Sequence, residues 1–144
     1  MKLDSQVTGN IGLYYACYKL SCMGWNVMPT ARNARGIDII AYNKSGTKFI
    51  GVQVKALSKR NPVPLGNSLE KIMGDYWLII NNVAKKPNVF VMKPEKVKAL
   101  ASSPKEKNGK VSYWLQPASY DTSEFKEAWH LIGHGHEIAE QGEP

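Results

Sequence analysis

The stretch ARGIDIIAYNKSGTKFIGVQVKAL, residues 34–57, decides the fold. It reads as a β-hairpin, with strands over 36–43 and 47–57 joined by the turn signal Lys44-Ser45-Gly46. Asp38 stands inside an otherwise apolar run, and Gln53 and Lys55 interrupt the second strand two residues apart. A period of two puts Gln53 and Lys55 on one face of one strand. With Asp38 on the neighbouring strand, a carboxylate, an amide and an ammonium converge at the edge of a sheet.

Those three groups have a chemistry in common. Carboxylate and amide oxygens are hard ligands suited to Mg²⁺, which typically keeps several of its waters. An ammonium beside them can hold or deprotonate a water, or offset charge on a pentavalent phosphate. The combination suits metal-assisted phosphodiester hydrolysis. The same residues also admit a plainer reading, in which Asp38 and Lys55 form a half-buried ion pair and Gln53 is a satisfied amide. Burying such a pair is costly without good compensation.

Outward from the hairpin, residues 9–23 carry Leu13, Cys17 and Leu20 at helical spacing, with Thr8 or Asn10 as a cap and Gly24 as a stop. Residues 25–30 read as a short strand. The proline-rich KRNPVPLGN reads as a loop, and Asn67 with Glu70 as a capping box opening a short helix. Strands are expected over 76–81, 89–92 and 111–115. Pro94 opens one helix, and Asp121 with Glu124 opens a second that Gly133 ends. No linker or internal repeat divides the chain. The expectation is one α/β (α+β) domain over 1–144 in three layers, a central mixed sheet flanked by helices, with residues from about 134 forming a flexible acidic tail.

The chain has 144 residues and a formal net charge of +7, unevenly spread. Residues 1–110 hold 18 of the 19 Lys and Arg but only six Asp and Glu, whereas 111–144 set Lys126 against six carboxylates. A basic body predicts a polyanionic partner. Arg32 and Arg35 precede the Asp38 strand, and Lys59 and Arg60 follow the Gln53 strand, so these four are the candidate phosphate contacts. Membrane association is not expected, since no apolar run nears the roughly 18 residues of a span. Cys17 and Cys22 read as buried, reduced thiols, which together with the lack of a signal-like N-terminus predicts a cytoplasmic protein.

Gly36-Ile37-Asp38, fourteen intervening residues, then Gln53-Val54-Lys55 resembles the PD-(D/E)xK nuclease superfamily, whose fold is restriction-endonuclease-like. The approach through Gly24-Trp25-Asn26-Val27 is similar as well. Glutamine in place of the acidic residue of the xK motif resembles the Mrr-type branch and Holliday-junction-resolvase-like nucleases. The resemblance covers residues 9–57. It implies a Mg²⁺- or Mn²⁺-dependent endonuclease acting on DNA, with RNA left open, and a homodimer, since a two-strand cut needs two sites. In these terms Asp38, Gln53 and Lys55 are catalytic, with Asp38 and Gln53 holding the metal. Two departures stand out. The first-helix position where many members carry glutamate falls on Leu13, and Gln53 is neutral, which implies weak metal binding. The alternative is a catalytically degenerate relative that binds nucleic acid without cutting it.

Overall fold

The computed structural model describes residues 2–31, 36–102 and 105–136. An 18-residue helix, α1 (Ser5–Cys22), leads into the hairpin-forming strands β1 (Asn26–Pro29), β2 (Ile39–Tyr42) and β3 (Phe49–Ala56). After β4 (Val63–Gly66) and a 3₁₀ turn (Leu69–Lys71) come β5 (Tyr76–Asn81) and β6 (Asn88–Met92). The remainder is α2 (Pro94–Leu100), β7 (Lys105–Lys107), β8 (Lys110–Leu115), the short α3 (Pro117–Tyr120) and a last 3₁₀ turn (Trp129–Leu131). No helix among the described residues is long and apolar enough to cross a membrane.

Five strands form the central sheet in the order β1-β2-β3-β5-β6. Only β3 and β5 run parallel; the other neighbours are antiparallel. A parallel pair demands a long crossover, and here the crossover holds β4 and the first 3₁₀ turn. It passes over one face of the sheet and buries Leu65 and Ile72 there. The expected α+β class with a mixed, flanked sheet is therefore what the chain adopts.

The two faces of the sheet carry separate cores. On one, Ile50 and Val52 of β3, Leu78 and Ile80 of β5, and Val89 and Val91 of β6 pack with Ala16 and Leu20 of α1. The buried ridge of α1 is Thr8, Gly12, Ala16 and Leu20, at a four-residue spacing. Leu13 and Cys17, expected at its centre, only flank it. The ridge is made of small residues because the helix lies close on β3; a Cβ at Gly12 would collide with the Ala56 methyl. The other core joins Trp77, Ile79, Phe90 and Met92 to Val63, Leu65, Leu115 and Tyr120.

Several local expectations are corrected. Helix α1 starts earlier than its periodicity suggested, because Asp4 accepts from Val7 N at 2.8 Å and caps it. The supposed loop KRNPVPLGN contains β4, which pairs with β8 at the edge of a three-stranded sheet ordered β4-β8-β7. Pro64 is tolerated there because it lies on an edge strand, at a register shift. Ser68, not Asn67, caps the first 3₁₀ turn, and Asn67 instead accepts from Lys71 Nζ.

The helix expected from Asp121 does not form. The Asp121 carboxylate is taken by Arg60, and the following segment docks on the outer edge of β6, with Val91 N bonded to Phe125 O and Glu127 N to Val89 O. An unpaired strand edge is a stronger claim on that backbone than a marginal helix. Gly135 is held at both ends, donating to Met23 O and accepting from Lys44 N, so the chain is docked through the start of the expected tail. Residues 137–144 lie outside the described residues. Cys22 is exposed, not buried as expected, and both cysteines are free.

Candidate functional site

Asp38 lies just before β2, where the pairing slips. Its backbone N donates to Val52 O at 2.9 Å, although the β2–β3 register already pairs Val52 with Ile39. Two residues thus oppose one, the local geometry of a β-bulge, and such kinks re-aim side chains. The bend turns the carboxylate back onto β3, where Oδ2 accepts from Val54 N at 2.7 Å. That bond orients the group and leaves Oδ1 without a described partner.

Gln53 and Lys55 flank Val54 on β3, and their parallel partners on β5 are Trp77 and Ile79. Both therefore lie on the face opposite α1. They line a cavity of about 450 Å³ whose other walls are Gly36, Leu65, Glu70, Lys71, Ile72, Met73 and Trp77. The crossover that parallel pairing required supplies most of that wall. Gly36, at φ +72°, lets the chain pass under Met73, since a Cβ there would strike the Met73 side chain.

Lys55 sits within this pocket with its Nζ 5.6 Å from the centroid of the Trp77 ring. The indole is itself fixed, donating from Nε1 to Met73 O at 3.0 Å. Burial holds the Lys55 ammonium below the ordinary lysine range, and the nearby Asp38 carboxylate partly opposes that shift. No ion pair within 4 Å joins Lys55 to a carboxylate among the described residues.

Gln53 and Lys55 line the cavity and Asp38 does not; the Asp38 carboxylate and the Gln53 amide oxygen are donors of the kind that suits Mg²⁺ or Mn²⁺. The crossover adds Glu70 to the wall shared by Gln53 and Lys55, a residue whose sequence context read only as a helix cap. No spacing signal could have found it, because only the path of the crossover brings it over β3. Leu13 is half-buried against the α1 core, so α1 contributes no carboxylate from that position.

The four candidate phosphate contacts fare unequally. Arg32 and Arg35 lie outside the described residues. Arg60 is ion-paired with Asp121 at 2.7 Å. Lys59 is exposed and lines a different cavity from that of Gln53 and Lys55.

No family model and no curated protein matches the sequence. Among solved structures, the fold is similar to that of the bacterial homing endonuclease I-Ssp6803I, with a TM-score of 0.59 and 17% identity over 90% of this chain and 93% of that one. The chain shares that fold. A second, more distant likeness is to Hjc, a Holliday junction resolvase from Archaeoglobus fulgidus, with a TM-score of 0.46 and 13% identity over 75% of this chain and 90% of that one.

Proposed function

We propose that the chain is a metal-dependent endonuclease that hydrolyses phosphodiester bonds in DNA, with Asp38, Gln53 and Lys55 as its catalytic residues. The observation that carries this reading is the carboxylate of Asp38, turned onto Val54 N between the two residues of the Gln-x-Lys pair. Likeness in fold to a homing endonuclease supports the same class of reaction.

Asp38 and Gln53 would hold Mg²⁺ or Mn²⁺, which when bound supplies Lewis-acid stabilisation and activation of a water. The protein's own part is positional and electrostatic. The Val54 N–H keeps one Asp38 oxygen engaged, so the other is presented in a single orientation. Lys55, partly desolvated and resting against Trp77, presents a proton donor or acceptor to the phosphate. Gln53 brings an oxygen without charge, which keeps metal affinity low. Glu70, which lines the same cavity, offers a carboxylate that neither α1 nor β3 provides.

The deciding experiment is cleavage of supercoiled, linear and branched DNA by the wild-type chain and by Lys55→Ala, with Mg²⁺ and with Mn²⁺. The expected outcome is metal-dependent nicking that Lys55→Ala abolishes. Gln53→Glu should raise the rate at low Mg²⁺ by adding an anionic ligand. A wild-type chain that binds DNA but cuts no substrate with either metal belongs to the alternative class, a nuclease fold kept for binding alone.

A further inference from the structure

The hairpin β7–β8 stands clear of the body of the fold. Its register pairs Lys105 with Ser112, Glu106 with Val111 and Lys107 with Lys110 around the turn Asn108-Gly109. Both turn residues have positive φ, +54° and +75°, the tight hairpin geometry that Asn-Gly favours. Strand β4 pairs with β8 only as far as Gly66 and Tyr113, so residues 105–112 form a two-stranded ribbon with no third strand among the described residues. Residues 106–110 and Ser112 are exposed.

Alternation sorts this ribbon into two faces. Leu115 is buried in the second core and Tyr113 packs against it, so Val111 and its partner Glu106 share the inward face. Lys107, Lys110, Ser112 and Trp114 share the outward one, and no carboxylate of the described ribbon stands there. Lys107 and Lys110 lie directly opposite each other, and neither is ion-paired among the described residues. Like charges in direct cross-strand register oppose pairing, and an unsupported two-stranded ribbon is marginal in water to begin with. A polyanion lying across the tip relieves that repulsion.

The ribbon is also placed for such a partner. Leu65, beside the last β4–β8 pair, lines the cavity of Gln53 and Lys55. Three residues at about 3.4 Å each carry β8 from Tyr113 to Lys110, so the tip projects about 10 Å past the end of β4 at which the crossover begins. The major groove of B-DNA, about 12 Å wide, admits a two-stranded β-ribbon. We propose that β7–β8 docks in the major groove of the DNA to be cut, with Lys107 and Lys110 on backbone phosphates. The inference rests on the nuclease reading for the identity of the polyanion and deepens it by naming duplex as the substrate. A duplex strand rises about 3.4 Å per phosphate, so the ribbon holds the DNA about three nucleotides from the cavity wall.

The test is anisotropy of a labelled duplex of about 20 base pairs, and of one of its strands alone, on the whole chain without metal between about 50 and 200 mM salt. Each duplex phosphate contact contributes about −0.9 to the log–log salt slope, so Lys107→Gln/Lys110→Gln should flatten it by about 1.8. Across that range the variant's loss of affinity should be about tenfold smaller than that of wild type. A single strand has no major groove, so the variant should bind it as wild type does. It should also melt no lower, because the repulsion between the two ammonium groups is gone. A wild-type duplex slope overturns the proposal, and so does equal flattening on the single strand, the mark of a general basic surface. Lys110→Gln alone, expected to flatten the duplex slope by about 0.9, decides the matter should the double variant fold poorly. Failure of the nuclease reading looks different: a wild-type chain that cuts no DNA with either metal, yet whose duplex slope depends on Lys107 and Lys110, leaves the ribbon's role intact.

Discussion

The two faces of β3 follow opposite rules. Toward α1, buried Ile50 and Val52 and half-buried Val54 and Ala56 make an apolar contact in which even one added methyl at Gly12 has no room. Toward the crossover, Gln53 and Lys55 open into a cavity, and Lys55 is desolvated without an ion-pair partner among the described residues. The first face is arranged for stability. The second accepts a cost in stability, and a fold tolerates that most readily where the groups have chemistry to perform. Substitutions on the two faces should therefore separate folding from activity.

The largest separation is expected at Asp38. Both Asp38→Ala and Asp38→Asn should lower DNA cleavage by a factor of about 10²–10⁴, the range for losing a positioned catalytic group. They should part in stability. Alanine leaves Val54 N–H without its acceptor, at a cost of about 1–3 kcal/mol for a buried donor, while asparagine keeps an oxygen there. Cleavage assays beside urea melts read both effects, and equal stability of the two variants would mean that the Val54 bond does not hold the carboxylate.

The mirror experiment is Gly12→Val on the apolar face. The new side chain meets Ala56, so α1 must lift from β3, at about 1–3 kcal/mol for an overpacked contact. A lower thermal midpoint with unchanged activity below the melt is the expected result. Full activity loss in a folded Gly12→Val would break the division between the faces.

A smaller effect carries a pH signature. The folded pKa of Lys55 lies below its ordinary 10.5, so the folded state disfavours the ammonium. Below the folded pKa the charge is present in both states and the desolvation cost is felt in full. As pH rises through the folded pKa toward 10.5, the folded protein sheds the proton first and the cost is relieved, so stability rises across that window. Lys55→Met should consequently melt higher than wild type at pH 7, with the gap closing as pH approaches 10.5. Denaturant titrations at pH 7 and pH 10 measure it; a destabilised Lys55→Met would show that the ammonium is a structural tie.

The smallest change is predicted for Arg60→Ala. Its pair with Asp121 is solvent-exposed, so stability should fall by less than about 1 kcal/mol. A larger drop would mean that Arg60 anchors the segment docked on β6.

The hairpin was legible because both of its signals are local: alternation with a period of two, and turn residues at 44–46. Asp38, Gln53 and Lys55 stood out by the same means, as polar residues breaking apolar runs. Glu70 did not, since its nearness to Gln53 depends on a crossover dictated by the parallel pairing of β5 with β3. Strand β4 was hidden by its prolines, which an edge position makes acceptable. The segment after Asp121 has the residues of a helix start, yet Arg60, sixty-one positions earlier, takes the carboxylate.

What this sequence determined alone was its strand-forming hairpin, its mixed α+β class and the three polar residues set into one strand pair, because each rests on neighbours within a few positions. Only the tertiary structure decided which carboxylate is anchored, what walls the cavity of Gln53 and Lys55, and that Lys59 lines a different one. Those outcomes depend on strand order and on which backbone groups remain unpaired at sheet edges, and residues far apart in the chain compete for them.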